Sequence, residues 1–82
     1  MKIYGIFDKV AGKYNLFLSS YNDGGMCREL SERLAGSIYD SHNSDFDLYV
    51  LASINEDTGT VVPINPTIVA RFIDIFGDVD NG

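Results

Sequence analysis

The chain has 82 residues, a mass of 9.1 kDa and a formal net charge of −6 at pH 7. This length allows one hydrophobic core, and 45% hydrophobic with 22% charged residues is typical of a globular protein, not a disordered one. The apolar runs are too short to span a bilayer, and the N-terminus lacks the hydrophobic stretch of a signal peptide. We therefore expect a protein that acts inside the cell that makes it, with a single domain over residues 1–77 and a flexible acidic tail over residues 78–82.

The acidic composition disfavours non-specific binding to nucleic acids. Twelve acidic residues outnumber six basic ones, and phosphate contacts dominate nucleic-acid affinity. The basic residues are nevertheless unevenly distributed, because Lys2, Lys9 and Lys13 all lie near the N-terminus. A local basic surface is therefore compatible with the sequence.

The first twenty residues predict a β-hairpin. Apolar and aromatic residues alternate in residues 2–8 and again in residues 14–20, as they do in strands. Gly12, in the short loop between these segments, is suited to a positive φ angle.

A helix is predicted next. Asn22 or Asp23 is suited to cap its N-terminus, and Gly36 marks its end, so the helix runs to about residue 37. A polar loop is predicted over residues 39–45. The apolar stripe of the helix recurs every four residues, at Met26, Leu30, Leu34 and Ile38.

The next segment predicts a second hairpin. Residues 46–54 alternate as a strand, residues 56–59 form a turn with Gly59 suited to a left-handed conformation, and residues 60–62 form a short partner strand. Pro63 lacks an N–H group, so we expect it to end the pairing and to mark an edge strand.

The C-terminal part predicts a second amphipathic helix. Asn65 is its expected cap, Pro66 its first residue and Gly77 its end. Its apolar face comprises Ile68, Val69, Phe72, Ile73 and Phe76. The predicted fold is therefore α+β, in the order β-β-α-β-β-α, with two hairpins forming an antiparallel sheet and two amphipathic helices packed on one face.

Residues suited to catalysis or metal binding are scarce. Cys27 is the only cysteine and lies in the helical apolar stripe, and His42, the only histidine, lies in the polar loop. These two residues provide neither a nucleophile–base pair nor a zinc ligand set. The acids Asp45, Asp47, Glu56 and Asp57 are assigned to strand ends and turns in preference to a hard-cation site. We therefore predict no enzymatic activity, no metal and no cofactor.

The first hairpin combines aromatic and basic residues, as single-stranded nucleic-acid binders do. The candidate nucleic-acid-binding residues are Lys2, Tyr4, Lys9, Lys13 and Tyr14. One alternative is that the aromatic residues simply pack in the core. A second alternative places Tyr4, Tyr14 and Tyr49 on an uncovered sheet face, as an interface for self-association or for a protein partner.

Two segments of the chain resemble a known family. The opening residues, K-I-Y-G-I-F-D-K-V-A-G-K-Y, resemble the aryl-Asp-x-x-A-x-x-Y start of the small nonstructural protein of microviruses, chiefly gokushoviruses. Residues 45–49 and 55–59 resemble that family's D-F-x-L and D-x-E-T-G signature, so the likeness extends over residues 2–65. The sequence departs from the family pattern at Asn15-Leu16-Phe17, where Pro-Pro-Phe is common, and at Gly24-Gly25-Met26, where alanine-rich runs are usual.

The resemblance implies a bacteriophage protein that is made in the cytoplasm of an infected bacterium, is absent from the virion and binds DNA. It implies a non-enzymatic accessory role in viral DNA replication or packaging. Together with the aromatic and basic residues of the first hairpin, it leads to the hypothesis that this hairpin binds single-stranded DNA weakly. The acidic composition is compatible with this role if a dimer concentrates Lys2, Lys9 and Lys13 on one surface, or if the target is the replication protein. The alternative is a homodimeric adaptor that binds replication or procapsid proteins through its sheet.

Overall fold

The fold is built on four antiparallel strands, and the computed structural model describes residues 1–77. The strands are β1 (Lys2–Asp8), β2 (Lys13–Ser20), β3 (Phe46–Ile54) and β4 (Val61–Arg71). The helices are α1 (Asp23–Arg33), α2 (Ile38–Ser41) and α3 (Phe72–Ile75), and one turn of 3₁₀ helix at Asn43–Asp45 precedes β3. The sheet order is β2-β1-β3-β4. The α+β class is confirmed, and the predicted tail over residues 78–82 lies outside the described residues.

Both predicted hairpins are present. In the first, the Asp8 carboxylate accepts hydrogen bonds from the N–H groups of Val10 and Ala11, and Gly12 has a φ of +74°. In the second, the Asn55 side chain accepts from the N–H of Asp57, and Gly59 has a φ of +78°. Side chains that bond to nearby backbone groups, together with glycines at positive φ, therefore close both turns.

The hydrophobic core lies between one face of the sheet and the three helices. Alternation along β1 and β3 directs every second side chain to this face. The helices cover it with residues from α1, with Tyr39 of α2 and with residues of α3. The buried members are Tyr4, Ile6, Met26, Leu30, Phe46, Leu48, Val50 and Phe72.

Helix α1 begins where the sequence predicts and ends earlier. The Asn22 side chain accepts a hydrogen bond from the N–H of Gly25 at 2.6 Å, which is the expected N-cap. The helix ends at Arg33 because Gly36 takes a φ of +79° and Ser37 starts a new helical turn, with its Oγ accepting from the N–H of Tyr39. The predicted loop over residues 39–45 is therefore wrong in part, since it contains most of α2 and the 3₁₀ turn.

The predicted second amphipathic helix is wrong over most of its length. Residues 65–71 belong to β4, and only one helical turn, α3, follows. Thr67, Ile68 and Val69 are β-branched and favour strand geometry. Strand β3 is nine residues long, and pairing with β4 provides hydrogen-bond partners for the backbone N–H and C=O groups along its outer side.

Pro63 lies on an edge strand, but it does not end the pairing. It is opposite Ala52, and the ladder resumes with Thr67 opposite Val50 after a register shift. Pro66 lies in this irregular part, where a missing N–H costs no ladder hydrogen bond. The strand therefore passes both prolines and ends at Arg71.

Candidate binding surface on the open sheet face

The second face of the sheet is not covered by the helices, because all three contribute side chains to the core on the opposite side. Four aromatic rings from three adjacent strands meet on this open face. They are Phe7 of β1, Tyr14 and Phe17 of β2, and Tyr49 of β3. We call this set the aromatic surface.

The rings of the aromatic surface pack against one another, mostly edge to face. The centroids of Phe7 and Tyr14 are 5.0 Å apart with an interplanar angle of 69°. The Tyr14 and Tyr49 centroids are 5.8 Å apart at 85°, and the Phe17 ring lies 6.2 Å from Tyr14. These are favourable geometries for aromatic pairs, so the cluster holds its shape without a covering helix. Phe17 is 60% exposed and is the most accessible of the four rings.

Gly5 makes room for this cluster at the centre of the sheet. It lies opposite Phe17 on one side and Tyr49 on the other. A Cβ atom at this position would lie 2.8 Å from Leu51 Cδ1 and 2.9 Å from Tyr14 Cδ1. The neighbouring side chains therefore occupy the space that a larger residue would need.

A β-bulge at Asn15 places Tyr14 on the open face. Ile6 is opposite Leu16 and Phe7 is opposite Tyr14, so Asn15 has no partner on β1. Simple alternation would put Tyr14 on the same side as Leu16 and Leu18, which pack against the core. The Asn15 amide is held by Asp8 Oδ2 at 3.4 Å and by the Tyr39 hydroxyl at 3.2 Å.

Charged residues lie at one end of the aromatic surface. Lys9 and Lys13 are exposed on either side of the first turn, and Arg71 is opposite Asp47 at the same end of the sheet. Arg71 Nε contacts Asp74 Oδ2 at 3.2 Å. Lys9 Nζ lies 3.8 Å from Asp47 Oδ1, a buried oxygen with no hydrogen-bond partner among the described residues. Lys9 thus offsets part of the charge of a carboxylate that is only 7% exposed.

The structure separates the predicted site residues into two groups. Lys9 and Tyr14 lie at or beside the aromatic surface, together with Tyr49 from the alternative set. Lys13 is exposed at the start of β2, but it is opposite Asp8, so alternation directs its side chain to the other face of the sheet. Tyr4 does not lie there. Its side chain is directed to the covered face, where the ring is fully buried, so it is unavailable for stacking or for an interface.

Lys2 is also directed away from the aromatic surface. Its Nζ lies 3.4 Å from Asp23 Oδ1, and the Tyr4 hydroxyl donates to the same oxygen at 2.7 Å. Burial and the Asp23 carboxylate raise the pKa of Tyr4, so this hydroxyl keeps its proton. Lys2 and Tyr4 together attach the start of α1 to β1, which is a structural role.

Phe7 and Phe17 belong to the surface, although neither is among the residues that the sequence pattern singles out. Phe17 alternates with Leu16 and Leu18, and this alternation indicates that it has the opposite orientation to those core residues. Phe7 follows Gly5 at the same spacing on β1. Burial, followed by the neighbouring Tyr49, raises the pKa of Tyr14, so the surface is uncharged at its centre at neutral pH.

The aromatic surface is an open face of the sheet and not a cleft. Within residues 1–77 no pocket is detected, and no group of three or more His, Cys, Asp or Glu side chains is placed to hold a metal ion. Among the helices described, none is long and apolar enough to cross a membrane.

The fold and this surface define a small α+β protein with an exposed aromatic sheet face. The family model described as Phage ORF5 protein matches residues 1–75. The chain therefore belongs to the Phage ORF5 protein family and is a phage protein. Searches of curated proteins and of solved structures found no match.

Proposed function

We propose that this phage protein is a non-enzymatic accessory factor of the microvirus type that acts in viral DNA replication or packaging. It acts in the cytoplasm of the infected bacterium and is not part of the virion. Its ligand is single-stranded DNA, bound on the aromatic surface. The observation that carries the proposal is the cluster of four aromatic rings on an uncovered antiparallel sheet, with two lysines at one end.

Stacking supplies the main attraction in this proposal. Phe17 is 60% exposed, so a base can lie on its ring without displacing another side chain. Base–aromatic stacking contributes about 1–3 kcal/mol per base and depends little on sequence. The other three rings are partly covered by one another, so they position Phe17 and extend the apolar area beside it.

Phosphate contacts contribute a smaller part of the binding free energy in this proposal. Lys9 lies beside the aromatic surface and Lys13 lies across the first turn from it, so a DNA strand that runs over the sheet and past this turn can approach both. With two such contacts, the logarithm of the binding constant should fall with the logarithm of the salt concentration with a slope of roughly −1.4. This slope corresponds to roughly a sevenfold loss of affinity between about 50 and 200 mM salt. The net charge of −6 opposes binding of any polyanion, so we expect weak affinity.

Fluorescence anisotropy of a labelled short oligothymidylate tests the proposal. Protein at micromolar concentration and low salt should raise the anisotropy, and Phe17→Ala should weaken binding about 5- to 150-fold if one stacked base is lost. The double change Lys9→Ala, Lys13→Ala should weaken binding and flatten the salt dependence.

The matched control removes two cations elsewhere. Arg28 and Arg33 lie on α1 in pairs with Glu32 and Glu29, away from the open face. The double change Arg28→Ala, Arg33→Ala alters the net charge by the same amount as the double lysine change. It should leave the contacts that DNA makes with the aromatic surface, and with Lys9 and Lys13, unchanged. Equal weakening by both double variants, or no anisotropy change with the wild-type protein, would contradict DNA binding at this surface.

A second candidate function is that of a homodimeric adaptor for replication or procapsid proteins. It is favoured by the low charge of the aromatic surface, where Asp47 is buried and Tyr14 is neutral. An apolar contact of this kind should persist at high salt, unlike phosphate contacts. Binding of the phage's own replication or procapsid protein that survives high salt and is lost in Phe17→Ala would favour the adaptor over the DNA-binding factor.

A further inference from the structure

The two edges of the sheet differ in their capacity to pair with another strand. The order β2-β1-β3-β4 leaves β2 and β4 with one unpaired side each. An edge strand is a template for pairing unless charges, prolines, bulges or a covering element prevent it. The features of each edge therefore indicate which one is available to a partner.

The β4 edge carries such features. Pro63 and Pro66 both lie within the strand, and the β3–β4 ladder has two register shifts, between Leu48 and Tyr49 and between Val50 and Ala52. A strand with two prolines and this irregular path offers no long run of regularly spaced donors and acceptors.

The β2 edge has less protection. Its eight residues include no proline, and its only charged residue is Lys13 at the start. The bulge at Asn15 lies near that same end, so residues 16–20 are regular. Phe17 lies in this regular part with 60% of its surface exposed.

We infer that a second copy of this chain pairs with β2 along this edge, antiparallel and about a two-fold axis through Phe17. Directly opposed residues in adjacent strands share a face of the sheet. A two-fold axis between two residues would place Phe17, which is directed to the open face, opposite Leu16 or Leu18, which are directed to the core. The axis must therefore pass through a residue. An axis through Phe17 pairs the two most exposed rings and places Leu16 opposite Leu18 of the second copy.

This pairing produces an eight-stranded sheet in which both aromatic surfaces lie on the same side. The bulge at Asn15 limits the regular pairing in this register to residues 16–18 of each copy. A single pair of strands buries less than the roughly 1,200 Å² of a standard stable interface, so the dimer is weak and reversible.

Cysteine cross-linking tests the register. In a Cys27→Ala background, Phe17→Cys places the two new thiols on the two-fold axis, within the roughly 7 Å between Cα atoms that a disulfide requires. Ser19→Cys lies on the same strand two residues away, where the same register separates the two copies by about 14 Å. Under mild oxidation, Phe17→Cys should form a covalent dimer much faster than Ser19→Cys. A faster reaction of Ser19→Cys, or equally slow reaction of both variants, overturns the proposed pairing.

Light scattering tests the edge without altering a cysteine. Wild-type protein should dimerise with rising concentration, and more strongly with added salt, because each copy carries a net charge of −6. Phe17→Lys adds a charge to the edge and should weaken the dimer at least tenfold. Val62→Lys, at an exposed position on β4, is the matched control and should leave it unchanged. A wild-type monomer at all concentrations, or equal weakening by both variants, overturns the inference.

The inference does not depend on DNA binding, and the two tests separate them. Salt should weaken the DNA complex and strengthen the dimer. A dimer that forms normally and binds no oligonucleotide would refute the proposed function alone. An oligonucleotide complex of a strictly monomeric protein would refute the pairing alone.

Discussion

Gly5 lies under the aromatic surface, and neighbouring side chains fill the space above it. A Cβ atom there would approach both Leu51 and Tyr14 to less than 3.0 Å. Gly5→Val should therefore displace rings of the aromatic surface and lower the free energy of unfolding by about 1–3 kcal/mol. Urea unfolding measures the stability, and near-ultraviolet circular dichroism reports the rings.

The control for this prediction is a glycine without such neighbours. A Cβ at Gly24, in the first turn of α1, would meet nothing closer than Asn22 Oδ1 at 3.7 Å. Gly24→Ala should leave the stability unchanged or raise it slightly, since alanine is the better helix former. A Gly5→Val protein that is as stable as Gly24→Ala would contradict the close packing described above.

The hydroxyl of Tyr4 joins the core to the start of α1. It is fully buried, and burial together with its hydrogen bond to Asp23 raises its pKa above the ordinary value for tyrosine. In the unfolded chain this tyrosine loses its proton near pH 10, while in the folded protein it remains protonated. The unfolded state therefore binds fewer protons above pH 10, and stability falls as the pH rises.

Replacing Tyr4 removes this pH dependence along with one hydrogen bond. Tyr4→Phe should lower the free energy of unfolding at neutral pH by about 1–2 kcal/mol, because a bond to a charged acceptor is lost. Above pH 10 its stability should fall less steeply than that of the wild type, by up to about 1.4 kcal/mol per pH unit. Urea titrations at several alkaline pH values measure both effects. Parallel pH profiles for the two proteins would contradict the assignment.

Among the elements, α1 depends on a cap that is recognisable in the sequence. Asn22 accepts from the N–H of Gly25, and Asp23 adds a negative charge to the first turn. Asn22→Ala should cost about 1 kcal/mol of stability in urea unfolding, whereas Asn22→Asp should retain most of it because aspartate also caps well. Equal loss in both variants would indicate that the amide nitrogen, and not the accepting oxygen, matters at this position.

The elements also differ in how well their sequences predict them. Strands β1, β2 and β3 alternate clearly, and α1 has both an apolar stripe and a cap, so local patterns are sufficient. The segment after Pro66 is different, because the spacing of Ile68, Val69 and Phe72 is compatible with an amphipathic helix as well as with an edge strand. Pairing with β3 decides between the two, and that contact joins residues far apart in the chain.

At the scale of the whole molecule, the sheet order predicts a gradient of local stability. Strands β1 and β3 are paired on both sides, whereas β2 and β4 are paired on one. Amide hydrogen exchange should therefore be slowest in β1 and β3 and faster in β4, where prolines and register shifts interrupt the ladder. Mass spectrometry of the exchanging protein measures this order, and exchange in β4 as slow as in β3 would contradict it.

The same measurement bears on the candidate site. If β2 pairs with a second copy, protection at residues 16–18 should increase with protein concentration while β4 stays unchanged.

The sequence predicts part of the candidate site. It predicts aromatic residues near basic ones, and Lys9, Tyr14 and Tyr49 do lie at or beside the aromatic surface. It does not reveal that Tyr4 is turned to the core, because strand residues on both faces here are aromatic and only packing against α1 distinguishes them.

The bulge at Asn15, and not only the composition of β2, decides which side chains the open face presents. With Asn15 present, a strand without the bulge would turn Tyr14 toward the hydrophobic interior and leave Phe7 and Tyr49 without their central neighbour. Deleting Asn15 would instead make Tyr14 the direct neighbour of Leu16, so that regular alternation alone would keep it opposite Phe7. A shortened β2 is therefore the variant expected to retain all four rings while losing the irregularity of the strand.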